Sequence, residues 1–109
     1  MKNLTLIIPT KKVNIKTLNN FLIDQKIKNV EILKIDTEGY DFNVIKSLEN
    51  KLSFIKYIYF EHHFHNMLCK DYTFNEVHNY LINNNFKKVF KTKMFYRKTF
   101  EYIYKNTQI

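Results

Sequence analysis

The sequence contains few of the residues that interrupt, hinge or crosslink a chain. Its 109 residues include one glycine, one proline, one cysteine and no tryptophan. The single cysteine, Cys69, excludes an internal disulfide and a zinc site built from several cysteines, and it is typical of a reducing compartment. No linker or low-complexity tract divides the chain. We therefore expect residues 1–109 to form a single domain.

Long hydrophobic runs are also missing. The amino-terminal apolar stretch Leu4–Ile8 is followed by Pro9 and is shorter than the core of a signal peptide. No segment approaches the roughly 20 apolar residues of a membrane span. We therefore predict no membrane span and a cytoplasmic location. Hydrophobic residues still make up 45% of the chain and aromatic residues 17%, which is enough for a packed core.

Positive charge exceeds negative charge. Lys and Arg number 18 against 10 Asp and Glu, which gives a net charge of +8. Such an excess can indicate binding to nucleic acid or to another anionic surface. However, abundant Lys, Asn, Ile, Tyr and Phe are typical of an AT-rich genome, and that bias alone makes proteins basic. We therefore do not expect nucleic acid to be the partner.

Apolar periodicity predicts strands and helices in alternation. A first helix begins after Thr17, whose hydroxyl suits an N-cap, and its buried face carries Leu18, Phe21 and Leu22. A second helix follows Gly39. Its apolar stripe at helical spacing consists of Val44, Ile45, Leu48 and Leu52. The strands are predicted at Leu4–Ile8, Val13–Ile15, Val30–Ile35, Phe54–Glu61, Phe86–Lys91 and Phe100–Lys105.

A capping box predicts the start of a third helix. The Thr73 hydroxyl and the Glu76 carboxylate can each satisfy a backbone N–H group there. Asn83–Asn85 then ends the helix, because Asn tolerates the left-handed conformation. Its buried face is expected to contain Phe74, Val77 and Leu81. Strand, helix, strand, helix and a closing hairpin make up the back half of a doubly wound α/β sheet.

The most informative stretch is Lys34–Tyr40, where two carboxylates and the only glycine directly follow an apolar strand that we expect to be buried. Asp36 and Glu38 therefore lie at the carboxyl end of that strand, where open α/β sheets bind ligands. The stretch resembles the FkbM family of S-adenosylmethionine-dependent methyltransferases, whose hallmark strand ends in Lys-Ile-Asp-x-Glu-Gly. The matching residues are Lys34, Ile35, Asp36, Glu38 and Gly39.

The resemblance extends over nearly all of the chain. Val13–Asn19 looks like a family strand and helix start, with Asn19 where the family usually has Asp. Tyr57–Glu61 looks like the next strand, which also ends in Glu, and Phe95–Tyr102 looks like the closing hairpin. Only the carboxyl-terminal part of the family's domain is matched. The resemblance therefore implies a partial class I methyltransferase sheet of Rossmann-like type.

One glycine cannot build the Gly-rich turn that follows the first strand of such a sheet and approaches the cofactor closely. We therefore expect that first strand and its turn to be absent, together with the acid that binds the cofactor ribose. S-adenosylmethionine would bind only if the missing amino-terminal half were supplied. The isolated chain is accordingly expected to be inactive.

The resemblance implies catalytic roles for Asp36 and Glu38. One carboxylate would accept the proton of a substrate hydroxyl as it attacks the cofactor's methyl group. The other would position the substrate or the cationic sulfonium, and Asp36 is the candidate cofactor-binding residue. The structural alternative is that both carboxylates only stabilise the start of the following helix through its dipole.

A second polar cluster follows the next predicted strand. If the strand geometry continues, Glu61, His63 and His65 share one face. His62 and Phe64 then lie on the other. Two histidines and a carboxylate resemble a facial metal triad, but the short spacing is unspecific and we expect no metal. We favour Glu61 and His63 as catalytic members of the acid/base wall of a cleft, because histidine titrates near neutral pH.

The carboxyl-terminal hairpin is the most basic part of the chain. Its cations are Lys87, Lys88, Lys91, Lys93, Arg97 and Lys98. They form either a solvated face or a docking site for an anionic sugar or phosphate group. The neighbouring aromatic run is expected to be strand core rather than a stacking platform. Its members are Met94, Phe95, Tyr96, Phe100, Tyr102 and Tyr104.

Two functions from different classes follow. The first is the substrate-side part of an FkbM-like O-methyltransferase that acts on a hydroxyl of a sugar, glycan or polyketide-like substrate. The second is a non-catalytic binding module derived from the same fold, whose basic hairpin contacts polyanions. In either case the strand Val30–Ile35 would have an unpaired edge. We therefore expect the isolated chain to dimerise, to aggregate or to need a complementing chain.

Overall fold

The computed structural model of the protein describes residues 4–8, 11–64, 70–95 and 98–109. These residues form a mixed α/β fold. The strands are β1 (Leu4–Ile8), β2 (Lys11–Ile15), β3 (Val30–Ile35), β4 (Ile55–His63), β5 (Phe86–Lys93) and β6 (Thr99–Asn106). The helices are α1 (Leu18–Asp24), α2 (Asp41–Ser47) and α3 (Phe74–Asn83), with a 3₁₀ helix at Glu49–Phe54.

The main sheet has four strands in the order β3-β4-β6-β5. β3 runs parallel to β4, and the connection between them carries α2, as a parallel pair requires a crossover. β6 is antiparallel to both β4 and β5. β1 and β2 form a separate two-stranded sheet. β3 is therefore an edge strand among the described residues.

The core lies on the face of the sheet that the helices cover. Alternation along β4 and β6 places Phe60, Tyr102 and Tyr104 on that face, and all three are buried. The Phe60 ring stacks on both tyrosine rings, at centroid distances of 5.7 Å. Ile45 of α2 and Leu81 of α3 are also fully buried in this cluster. The core thus joins both helices to the central strands.

The predicted helix starts are confirmed. The Thr17 hydroxyl accepts a hydrogen bond from the Asn20 N–H at 3.1 Å, and the Thr73 hydroxyl accepts one from the Glu76 N–H at 3.3 Å. The predicted second helix is shorter than expected, because the α-helix ends at Ser47. The chain continues as the 3₁₀ helix, in which Leu52 is still buried.

Two burial predictions were wrong. Phe21 was expected on the buried face of α1 but is exposed, whereas the neighbouring Leu22 is buried. β3 was expected to be a buried strand, yet Ile32 is 58% exposed. The reason is that β3 lies at the sheet edge and the helices cover only one face. None of the helices within the described part of the chain is long and apolar enough to span a membrane.

Candidate active site

The turn between β3 and α2 places two carboxylates at the carboxyl end of β3. Glu38 and Gly39 both have positive φ, of 53° and 100°. This left-handed conformation suits glycine but costs a side-chain-bearing residue about 1–2 kcal/mol. The chain therefore bears strain at Glu38 in order to turn into α2. Asp36 and Glu38 both remain exposed at the strand end.

Asp41, the first residue of α2, was missed by the sequence reasoning. Its side chain is 2% exposed. One carboxylate oxygen accepts hydrogen bonds from the Thr37 N–H at 3.2 Å and from the Thr37 hydroxyl. The other oxygen accepts from the Glu61 N–H at 3.3 Å. Burial raises the pKa of the Asp41 carboxyl, while these hydrogen bonds act to lower it.

The end of β4 supplies a carboxylate and an imidazole on the same face of the sheet. The His63 Nε2 atom lies 3.6 Å from a Glu61 carboxylate oxygen. His63 is 8% exposed, and its Nδ1 atom lies 3.0 Å from the hydroxyl of Thr99, its partner residue on β6. This geometry suits a tautomer in which Nε2 carries the proton toward Glu61 and the Thr99 hydroxyl donates to Nδ1. Thr99 therefore orients the imidazole.

These groups surround one cleft of about 630 Å³. All four predicted catalytic residues line it together. The described lining residues are Asp36, Glu38, Glu61, His63, Met94, Phe95 and Thr99. The structure thus brings the two polar clusters of the sequence to one place. This follows from the parallel pairing of β3 and β4, which puts their carboxyl ends at the same edge.

Met94 and Phe95 are not strand core, as had been expected. They follow β5 in the connection to β6, and Phe95 is 89% exposed. The period-2 prediction holds for Tyr102 and Tyr104, which are buried, and Phe100 packs against the core. The two residues of the connection instead give the cleft an apolar wall. Sequence alone could not separate them, because aromatic residues continue through both segments.

The cleft has a negative electrostatic character in a chain that is positive overall. Burial raises the pKa of the Glu61 carboxyl, and the charges of Asp36, Glu101, Asp41 and Glu38 raise it further, in that order. A carboxyl with a raised pKa is a stronger base when it is ionised. Glu61 is therefore the carboxylate in this cleft best suited to accept a proton near neutral pH.

His62 lies on the other face of the sheet, as alternation predicted. Its ring contacts Phe64 at a centroid distance of 4.6 Å and Phe74 at 5.6 Å. Burial lowers the pKa of His62 to about 4. His65 lies outside the described residues, as does Cys69. Within the described part of the chain, no cluster of three or more His, Cys, Asp or Glu side chains could hold a metal ion.

The predicted basic surface lies mainly along β5. Its four lysines are exposed, and they are Lys87, Lys88, Lys91 and Lys93. None of them is among the residues described at the cleft. The Lys91 ammonium lies over the ring of Phe100, at 4.7 Å from its centroid. Arg97 and Tyr96 lie outside the described residues, so the predictions made for them stand as predictions.

Comparison with known protein families now identifies the domain. The Methyltransferase FkbM domain matches residues 4–88. The chain belongs to this family. The match includes the β3–α2 turn, Glu61 and His63, while Met94, Phe95 and Thr99 lie beyond it. FkbM membership supports a methyltransferase-type function, which in this family generally depends on S-adenosylmethionine. No curated protein matches the chain, and no solved structure matches it.

Proposed function

We propose that the chain is the substrate-side part of an FkbM-type O-methyltransferase with a partial, Rossmann-like class I sheet. The observation that carries the proposal is the meeting of Asp36, Glu38, Glu61 and His63 in one cleft. The cleft lies at the carboxyl ends of two parallel strands, which is where such sheets bind ligands. The antiparallel β6 and β5 complete the sheet beyond β4.

The residues present fit one end of S-adenosylmethionine. When bound, this cofactor supplies an electrophilic methyl group on a positively charged sulfur. Asp36 and Glu38 would hold that charged end, since several carboxylates meet at the cleft and raise the pKa of Glu61. The single glycine of the chain is Gly39, within the β3–α2 turn. The nucleoside end therefore needs contacts other than a Gly-rich turn of these residues.

Glu61 is the proposed general base. It would take the proton that a substrate hydroxyl loses as its oxygen becomes methylated. The neighbouring His63 Nε2–H holds the Glu61 carboxylate in place, and Thr99 fixes the imidazole. Asp36 and Glu38 orient the substrate hydroxyl or the sulfonium. The exposed Met94 and Phe95 offer an apolar surface to the carbon skeleton of a sugar, glycan or polyketide-like substrate.

An NMR titration of the ¹⁵N-labelled chain with S-adenosylmethionine tests the proposal. We expect amide shifts at residues 36–40, 61–63 and 99, with a dissociation constant weaker than about 10 μM, or roughly −7 kcal/mol. S-adenosylhomocysteine is the matched control ligand, because its sulfur is neutral, and it should bind more weakly. Absence of shifts around the cleft contradicts the proposed site. Binding tighter than about 10 μM contradicts the claim that this chain holds only part of the cofactor.

A second candidate function is a non-catalytic module that binds polyanions. It is favoured by one observation, the four exposed β5 lysines that lie away from the cleft. Binding of this kind depends strongly on salt. A heparin titration at two salt concentrations therefore separates the candidates, because amide shifts confined to β5 support the module. Shifts at neither β5 nor the cleft would remove both.

A further inference from the structure

Asp41 uses both of its carboxylate oxygens to join the two elements that form the cleft. One oxygen accepts from Thr37 in the turn after β3, and the other accepts from the Glu61 N–H near the end of β4. Asp41 itself is not among the residues described at the cleft, and it is almost completely buried. Its carboxylate therefore acts on the protein rather than on a ligand.

The local structure gives Asp41 a specific task. The turn that it binds contains the strained Glu38, whose backbone would relax if Thr37 were not held. On the other side, the bond to the Glu61 N–H fixes the backbone that carries the Glu61 carboxylate. A helix of seven residues does not need a buried charge at its start, since an exposed Ser or Asp cap would serve.

A third contact anchors the same residue. The hydroxyl of Tyr72 accepts hydrogen bonds from the backbone N–H groups of Asp41 and Phe42. Tyr72 is buried and precedes α3, so the start of α2 is tied to a second helix through it. Asp41 is thus held from the core side while it holds both halves of the cleft.

We propose that Asp41 is a positioning residue that sets the separation between Asp36 and Glu38 on one side and Glu61 on the other. The assignment of what the cleft binds rests on the proposed function. The geometric claim does not, because the hydrogen bonds of Asp41 are present without any ligand.

Asp41→Asn tests the inference, because it keeps the shape of the side chain and divides its two roles. The remaining oxygen can still accept from Thr37, whereas the new NH₂ group would face the Glu61 N–H, donor against donor. We expect hydrogen exchange at the Glu61 amide to accelerate by about tenfold or more, as loss of a charge-assisted hydrogen bond implies. Exchange at Thr37 and at the core amide of Ile45 should stay nearly unchanged.

Three further variants sharpen the test. Thr37→Val removes the hydroxyl arm alone and should accelerate exchange in the turn while the Glu61 amide stays protected. It also serves if Asp41→Asn does not fold. Asp41→Glu keeps both acceptor oxygens and should restore protection at Glu61 at least in part. Asp71→Asn is the matched control, since Asp71 is exposed, and it should change neither amide.

Two results would overturn the inference. Unchanged exchange at Glu61 in Asp41→Asn would show that the bond does not hold β4. Equal acceleration at Ile45 and Glu61 would show that Asp41 only supports the fold as a whole. Titration with S-adenosylmethionine is a separate readout, in which Asp41→Asn should reduce the shifts at residues 61–63. Failure of the wild-type chain to show any such shifts would count against the proposed function and leave the exchange result standing.

Discussion

Glu61 and Glu101 lie directly opposite each other on the antiparallel strands β4 and β6. Like charges at opposed positions of a sheet repel and destabilise it. Tyr59 relieves part of this repulsion, because its hydroxyl donates to a Glu101 carboxylate oxygen at 2.6 Å. Glu101 is also one of the charges that raise the pKa of Glu61. The sheet therefore gives up some stability to keep a strongly basic carboxylate at the cleft.

Glu101→Gln should accordingly stabilise the fold and weaken the base. The amide oxygen of Gln can still accept from the Tyr59 hydroxyl, while the charge opposite Glu61 is removed. We expect a gain of about 0.2–1 kcal/mol in the free energy of unfolding, together with a lower pKa of Glu61. The pKa of Tyr59, which the Glu101 bond raises to about 12, should fall toward 10. Urea unfolding and NMR pH titration measure these changes.

Tyr59→Phe is the control for this prediction. It leaves the two opposed carboxylates without the donated hydrogen bond, so it should lower the free energy of unfolding. A Glu101→Gln variant that is less stable than wild type would contradict the view that repulsion dominates at this pair.

Glu38→Gly should raise the stability of the protein. The left-handed backbone at Glu38 costs about 1–3 kcal/mol, and glycine removes that cost while losing about 0.4–1 kcal/mol through the unfolded state. We therefore expect a net gain of about 0.5–1 kcal/mol in the free energy of unfolding, measured by urea denaturation. Ligand shifts at the cleft should weaken in the same variant.

Two variants separate strain from charge in that experiment. Glu38→Gln removes the charge but keeps the strained side chain, so it should give a smaller gain. Glu49→Gly relieves a similar strain, at φ 51°, outside the described lining of the cleft. It should stabilise the protein and leave ligand shifts unchanged. A Glu38→Gly variant no more stable than Glu38→Gln would mean that the strain is not significant.

Most of the fold could be predicted from local chemistry. Apolar periodicity located all the strands and helices of the described residues to within a few positions, and the caps at Thr17 and Thr73 fixed two helix starts. The burial of β3 could not be predicted, because an edge strand and a central strand can have the same apolar pattern. Its position at the edge follows from which strands pair, and pairing is non-local.

The cleft was predictable only in part. Asp36 and Glu38 follow a strand end, and alternation placed Glu61 and His63 on one face, so four site residues could be found. Asp41 looked like an ordinary acidic residue in the first turn of a helix. Its role depends on the Glu61 N–H, 20 residues away along the chain. Thr99 was missed for the same reason, since its contact with His63 exists only through the β4–β6 register.

His62 should make the fold sensitive to acid. Its pKa is about 4 in the folded chain and 6.5 ordinarily, because burial disfavours the charged ring. Its contribution to stability is therefore fully present above pH 6.5 and is lost as the pH falls from 6.5 toward 4. We expect a loss on the order of 1–2 kcal/mol, less than the full shift implies because part of the ring is screened by solvent. Urea unfolding at a series of pH values measures it.

His62→Phe isolates that contribution, because it keeps an aromatic ring among Phe64 and Phe74. Asp41 and Glu61 have raised pKa values in the folded chain. Their contribution is present below their ordinary pKa values and is lost as the pH rises through the folded ones, so it opposes that of His62. The difference between wild type and variant should therefore grow in favour of the variant below pH 6.5. A difference that does not change with pH would contradict the prediction.

Loss of a cleft carboxylate should reduce methyl transfer wherever the domain is completed by a cofactor-binding half or a partner chain. We expect Asp36→Asn, Glu38→Gln and Glu61→Gln each to lower turnover by about 10²-fold or more, the range of general acid/base contributions. Folding stability should change little. Transfer of a labelled methyl group measures the effect, and Asp24→Asn, an exposed carboxylate on α1, is the control. Unchanged turnover in all three variants would reduce the motif to helix stabilisation.

The edge of β3 should make the isolated chain self-associate. β3 pairs with β4 on one side only within the described sheet, and β1 pairs with β2 instead of covering the other side. An apolar edge with unpaired backbone groups is a template for another strand. Ile32→Lys places a charge in the middle of that edge and should shift the chain toward monomer in light scattering at about 100 μM, because charged edge residues block pairing. Val89→Lys on the opposite edge strand β5 is the matched control and should have a smaller effect, since lysines already flank that edge. A wild-type chain that is monomeric at this concentration and unfolds cooperatively would show that the edge is not a site of association.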